Sequence, residues 1–177
     1  MTTIHGTSAD DTTTTRRHPD HPARPGLIPR ILREPFTAPT WRRVAYALLA
    51  LPVGVACVPL ALVGAPTARW QRALAHRFLG ADPRGRARAG LVHALLATPV
   101  NLLVLAVTLY GWSIVPMNLG WPLRAGSDYS GAWGGPTFAG AWAFHAVVGG
   151  IGFLLIMPWV GRGMAAVQAR LARALLS

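Results

Sequence analysis

The chain has 177 residues, of which 52% are hydrophobic and 13% charged, and a net charge of +11 carried entirely by arginine. Soluble domains carry about 25% charged residues, so composition argues against one. The arginines sit at the ends of apolar runs rather than along one stripe, which argues against a nucleic-acid surface. A single cysteine, Cys57, excludes an intramolecular disulfide and a Cys-rich metal site.

Residues 1–38 read as a disordered tail. They hold four threonines in a row, Thr12 to Thr15, with scattered His, Pro and Asp and little apolar surface to offset the entropy of ordering. Residues 44–66 form the first apolar segment, interrupted by Pro52, Gly54 and Pro59. Residues 67–79, TARWQRALAHRFL, read as an amphipathic helix with Trp70, Leu74 and Phe78 on one face and Arg72 and His76 facing away. Such a helix is expected at a membrane surface, followed by the basic turn ADPRGRARAG.

The second and third apolar segments cover residues 90–115 and 138–160. Each exceeds the ~20 residues that cross a bilayer. The connection between them holds Trp121, Tyr129 and Trp133, which with Trp112 suit an interfacial aromatic belt. Residues 161–177 predict a second basic amphipathic helix, with Val167, Leu171 and Leu175 as its apolar stripe and Arg162, Arg170 and Arg173 as its charge. The whole reads as an all-α integral membrane helical bundle with two basic amphipathic interfacial helices and no strand.

Arginine counts set the topology. There are seven Arg up to Arg43, six in the 65–89 connection, one in the 116–137 loop and three at the C-terminal end. Segments two and three therefore form a hairpin with its Arg-rich ends inside and its aromatic loop outside. Segment one is flanked by arginine on both sides. The Pro52–Pro59 break favours a bent or re-entrant segment, with a single crossing as the alternative.

His93 and His145 are the ionisable groups well inside the apolar segments. Buried ionisable groups in membranes raise a functional question, and histidine is a common metal ligand. The two should differ in depth by roughly 15–20 Å, at 1.5 Å per helical residue, so one metal cannot bridge them. Interhelical hydrogen bonds are the simpler role for both, and for Asn101 in segment two. Gly149, Gly150 and Gly152 fit close helix packing. The apolar segments hold no Asp or Glu, so no acid–base enzyme and no cofactor is expected. Arg42 and Arg43 ahead of a short run ending at Cys57 fit a twin-arginine lipoprotein signal poorly, because Trp41 stands where Ser or Thr is usual and Gly54 where Leu or Val is usual.

Two stretches carry a resemblance. One is TWRRVAYALLALPVGVA, residues 40–56; the other is FLLIMPWVGRGMAAVQARLARALLS, residues 153–177. Both resemble the sensor domain of actinobacterial two-component histidine kinases, over about residues 36–177. The family usually has a full hairpin where this chain has residues 44–66, and the chain carries no phospho-acceptor His box and no ATP lid. The resemblance implies a multi-pass sensor-like module of the cell membrane without catalysis of its own. It would signal to a separate partner, such as a histidine kinase, through an output helix carrying Val167, Arg170, Leu171, Arg173 and Leu175. A structural or accessory subunit of a membrane complex such as a transporter is the alternative. The lipid bilayer and a protein partner or second copy are the expected contacts, with no nucleic acid.

Overall fold

Four helices pack along one another in a computed structural model that describes residues 26–82 and 89–176. Residues 1–25 of the expected tail, residues 83–88 of the basic turn and Ser177 lie outside the described residues. Every described element is helical or a turn. The reason is the one that the composition gives: in an apolar surrounding each backbone N–H and C=O must find its partner within the segment. Three helices, Ala38–Leu62, Gly90–Leu119 and Phe138–Leu176, are long and apolar enough to cross a membrane.

A short helix α1 (Leu27–Arg33) leads into a 3₁₀ turn, Glu34–Phe36, and then into α2 (Ala38–Leu62). Disorder was the expectation for all of 1–38. From residue 26 onward it is overturned, because Glu34 is buried and ties the turn to the bundle. Helix α2 runs for 25 residues straight through Pro52 and Pro59. The break expected at Pro52–Pro59 is thereby corrected: residues 44–62 belong to one continuous helix, and residues 63–66 form the turn after it. Neighbouring helices and small adjustments of the backbone tolerate prolines in such an environment better than water does.

The turn after α2 holds Gly64 at φ 83°, and α3 (Thr67–Leu79) then runs back antiparallel to α2 until Gly80, at φ 64°, ends it. Phe78 and Leu79 thereby reach the level of Pro39 and Arg42, and all four line one cleft. The arginines on both flanks of segment one find their explanation here. The α2–α3 hairpin brings Arg42 and Arg43 together with Arg77.

Helix α4 (Ala89–Leu119) is the axis on which the rest is registered. Helix α2 lies antiparallel to it: the Trp41 and Trp112 rings stand 5.1 Å apart, and Asn101 Nδ2 reaches Ala50 O at 3.5 Å. Thr67 and Ala68 of α3 press on its first turn, where a Cβ on Gly90 would lie 2.7 Å from the Ala68 nitrogen. Past α4 the chain makes the 3₁₀ turn Trp121–Leu123 and a loop to Thr137, whose hydroxyl accepts from the Gly140 N–H. The last helix is α-helical over α5 (Phe138–Phe144), π-helical over His145–Gly152 and α-helical again over α6 (Phe153–Leu176). It descends antiparallel to α4, with Met157 against Gly111 and Gln168 against Asn101.

Alanine dominates the core. Ala47, Ala50, Ala68, Ala75, Ala97 and Ala172 are buried, while Leu95, Leu96, Leu102, Leu103 and Leu109 point outward. That inversion is what packing without water selects: lipid tails are as apolar as leucine, so the face that allows close approach becomes the interface. It also corrects the expected faces of both amphipathic helices. In α3 the inward residues are Thr67, Ala68, Gln71 and Ala75, whereas Trp70 is exposed and Leu74 and Phe78 are half-buried. In α6 they are Ala165, Gln168, Ala169, Ala172 and Leu176.

Candidate functional site

Two buried polar side chains on the inner face of α4, His93 and Asn101, are each met by a residue from another helix. Near its start, His93 Nδ1 lies 2.7 Å from Gln71 Oε1 of α3. An amide oxygen only accepts, so Nδ1 carries the proton. Two turns further on, Asn101 joins three helices: its Nδ2 donates to Ala50 O of α2, and its Oδ1 accepts from Gln168 Nε2 of α6 at 2.9 Å. Both Asn101 and Gln168 are buried. The chain has only two glutamines, and each is spent on a buried polar group of α4. Gln71 Nε2 is buried without a hydrogen-bond partner.

At the far end of α4, Trp121 is buried and stacks on His145, with ring centroids 4.9 Å apart. Tyr129 and Phe138 close around the same tryptophan. His145 Nδ1 bonds Ala141 O of its own helix at 2.8 Å rather than a neighbour's side chain. Trp121 lies 28 positions beyond His93, or about 40 Å at 1.5 Å per residue, so the two histidines serve separate places. Among the described residues no cluster of three His, Cys, Asp or Glu could hold a metal ion. Trp112, nine positions before Trp121, pairs with Trp41 of α2.

The π-helical stretch begins at His145 itself. Gly149 faces the Asn118 side chain so closely that any Cβ would overlap it, and a Cβ on Gly150 would lie 2.6 Å from Leu119 Cδ2. The extra residue per turn lets the helix hold both this glycine contact and the stack on Trp121. π-bulges occur often at functional positions.

A third constellation was not visible in the residue pattern. Glu34, the chain's only glutamate, accepts from Arg162 Nη2 at 2.6 Å and stands 3.5 Å from Arg43 Nη1. The hydroxyls of Thr37 and Thr40 both donate to the Glu34 carbonyl at 2.9 Å. Arg162 also lies over the Trp159 ring, 4.8 Å from its centroid. One carboxylate thus fastens the N-terminal turn to α2 and to the middle of the last helix. The available sequence signal was the solitary glutamate in an arginine-rich stretch. Its partner, 128 residues away, has no local signature.

The expected output residues divide. Val167, Arg170 and Arg173 are exposed, and Leu171 and Leu175 are half-buried at the border of the inward face. Their helix packs on α2, α3 and α4 along much of its length rather than standing off the bundle. In the connecting loop, the Asp128 carboxyl is held below the usual carboxylate range by hydrogen bonds from the Ser130 backbone N–H, at 2.9 Å, and from the Ser130 side chain.

The chain matched no protein-family model, no curated protein and no solved structure.

Proposed function

We propose that the chain is a sensor-like module of the cell membrane that crosses the bilayer more than once and passes a signal to a separate protein partner, such as a histidine kinase, with no catalysis of its own. One observation carries this reading. A single 39-residue helix, Phe138–Leu176, joins the Trp121–His145 stack at one end to the Asn101–Gln168 bond near the other. A helix of that length spans about 60 Å, so a shift at the aromatic end reaches the last turns as rigid-body movement. Packed interfaces respond to such shifts by switching between discrete arrangements. The glycine-lined π stretch is the place where the helix can slide or rewind.

The second reading, an accessory subunit of a membrane complex such as a transporter, has its own support. Leu95, Leu102 and Leu109 share one face of α4 at seven-residue spacing and are all exposed, which suits lipid and a neighbouring membrane helix alike. Isolation from native membranes in mild detergent, with identification of co-purifying proteins, separates the two. A kinase supports the sensor. A permease or ATPase overturns it in favour of the subunit. Trp121→Ala should alter partner activity in the sensor case while leaving partner binding intact.

A further inference from the structure

Where the α2–α3 hairpin closes against the last helix, a cleft of about 410 Å³ opens. Arg42, Arg43, His76, Arg77 and Arg162 line it, with Phe78 on its apolar side. Glu34 neutralises part of this charge through Arg43 and Arg162. No carboxylate among the described residues pairs with Arg42 or Arg77. Arg43 Nη1 is buried and makes no hydrogen bond. Four guanidinium groups gathered near one carboxylate leave a strong positive excess, carried by the exposed Arg42 and Arg77 beside the half-buried Arg43 and Arg162.

We propose that this cleft binds a phosphate-bearing anion, supplied either by a phospholipid headgroup or by a soluble phosphate compound. Guanidinium forks match phosphate oxygens with paired charge-assisted hydrogen bonds. The cleft lies at the start of the apolar run of α2, level with the Trp41–Trp112 pair and beside Trp159. Tryptophans of this kind gather at headgroup depth. Phe78, Leu79 and Ala165 give the cleft an apolar wall along which an acyl chain could leave. The site stands on its own geometry and does not depend on the sensor reading.

The test uses the full chain purified in a neutral detergent and titrated separately with dioctanoyl phosphatidic acid, inorganic phosphate and dioctanoylglycerol, by calorimetry. Saturable binding of phosphatidic acid, with none of dioctanoylglycerol, is expected. Arg42→Gln with Arg77→Gln should weaken it at least tenfold, while circular dichroism and elution volume stay unchanged. If inorganic phosphate binds as tightly as phosphatidic acid, the site is a phosphate site whose natural source is soluble; if only phosphatidic acid binds, the source is lipid. Arg170→Gln with Arg173→Gln, outside the cleft, is the charge-matched control and should bind normally. The proposal is overturned by absence of saturable binding to either phosphate compound. It is equally overturned if the control pair weakens binding as much as the cleft pair, since general surface charge would then account for it.

Discussion

Gln168 donates to Asn101 at 2.9 Å across the interface between the last helix and α4, and Asn101 in turn reaches Ala50 of α2. One side-chain amide therefore joins all three helices long enough to cross a membrane. Its removal is the sharpest test of whether the bundle acts as one unit. Asn101→Leu and Gln168→Leu should each lower stability by about 1 kcal/mol, the usual scale for such bonds within membranes. The double variant should lose less than the sum, because each change removes the same bond. Unfolding in mixed micelles reads the difference, and full additivity would mean that the bond contributes nothing.

The Glu34 clamp predicts a larger effect. Glu34→Gln leaves Arg162 and the buried Nη1 of Arg43 facing each other without a carboxylate. Breaking a buried ion pair by deleting one partner costs about 3–5 kcal/mol. Here Arg162 is 36% exposed, so solvent screening reduces the expected loss to about 1–3 kcal/mol. Limited proteolysis should cut within residues 26–36 in the variant and spare the wild type. Equal protection would show that the turn is held by other contacts.

Close packing at the π stretch is testable by size alone. Gly149→Leu would drive a side chain into Asn118. Overpacking of this kind costs about 1–3 kcal/mol, whereas Gly161→Ala, where a Cβ meets no neighbour within 4 Å, should be neutral. A thermal melt that ranks the two the other way would contradict the register of the last helix on α4.

Topology can be read by cysteine labelling in a Cys57→Ala background. Ser127 lies beyond the end of α4, while Ala65 lies beside its beginning, at the far end of α2. Impermeant reagents added to intact cells should label position 127 and spare position 65. Residue 38 begins α2, a helix about 37 Å long, and residue 67 follows the turn at its other end, so the two should likewise report opposite sides. The arginine count together with the Pro52–Pro59 break predicts the same side instead. Matching labels at 38 and 67 would restore the re-entrant segment.

Asp128 gives a pH prediction outside the three long apolar helices. Its carboxyl titrates below the usual range because the Ser130 N–H and hydroxyl favour the charged form. The stabilisation of the loop turn is therefore present above the ordinary carboxylate pKa and is lost as pH falls through the lowered folded value. Ser130→Pro removes both donors and should return the titration toward the ordinary range in carboxyl carbon NMR spectra. An unchanged midpoint would show that these bonds do not hold the carboxylate.

What the sequence determined by itself was whatever charge and hydropathy decide locally. The uninterrupted apolar runs of α4 and the last helix fixed their helical state, since a backbone away from water has few other ways to satisfy its hydrogen bonds. Asn101 and His93 were legible as interhelical partners because a polar group in such a run needs a mate. The partners themselves, Gln168 and Gln71, were not, since either could equally face water on a helix read as amphipathic. Only tertiary structure decided that Ala68, Ala75, Ala169 and Ala172 face inward while Trp70 and Val167 face out. Periodicity ranks faces by hydrophobicity, but in a medium as apolar as leucine the packing face is chosen by size. The continuity of α2 through two prolines and the meeting of Glu34 with Arg162 were decided there as well. Each depends on what a distant segment supplies: neighbouring helices beside a proline-containing helix, and a counter-charge 128 residues along the chain.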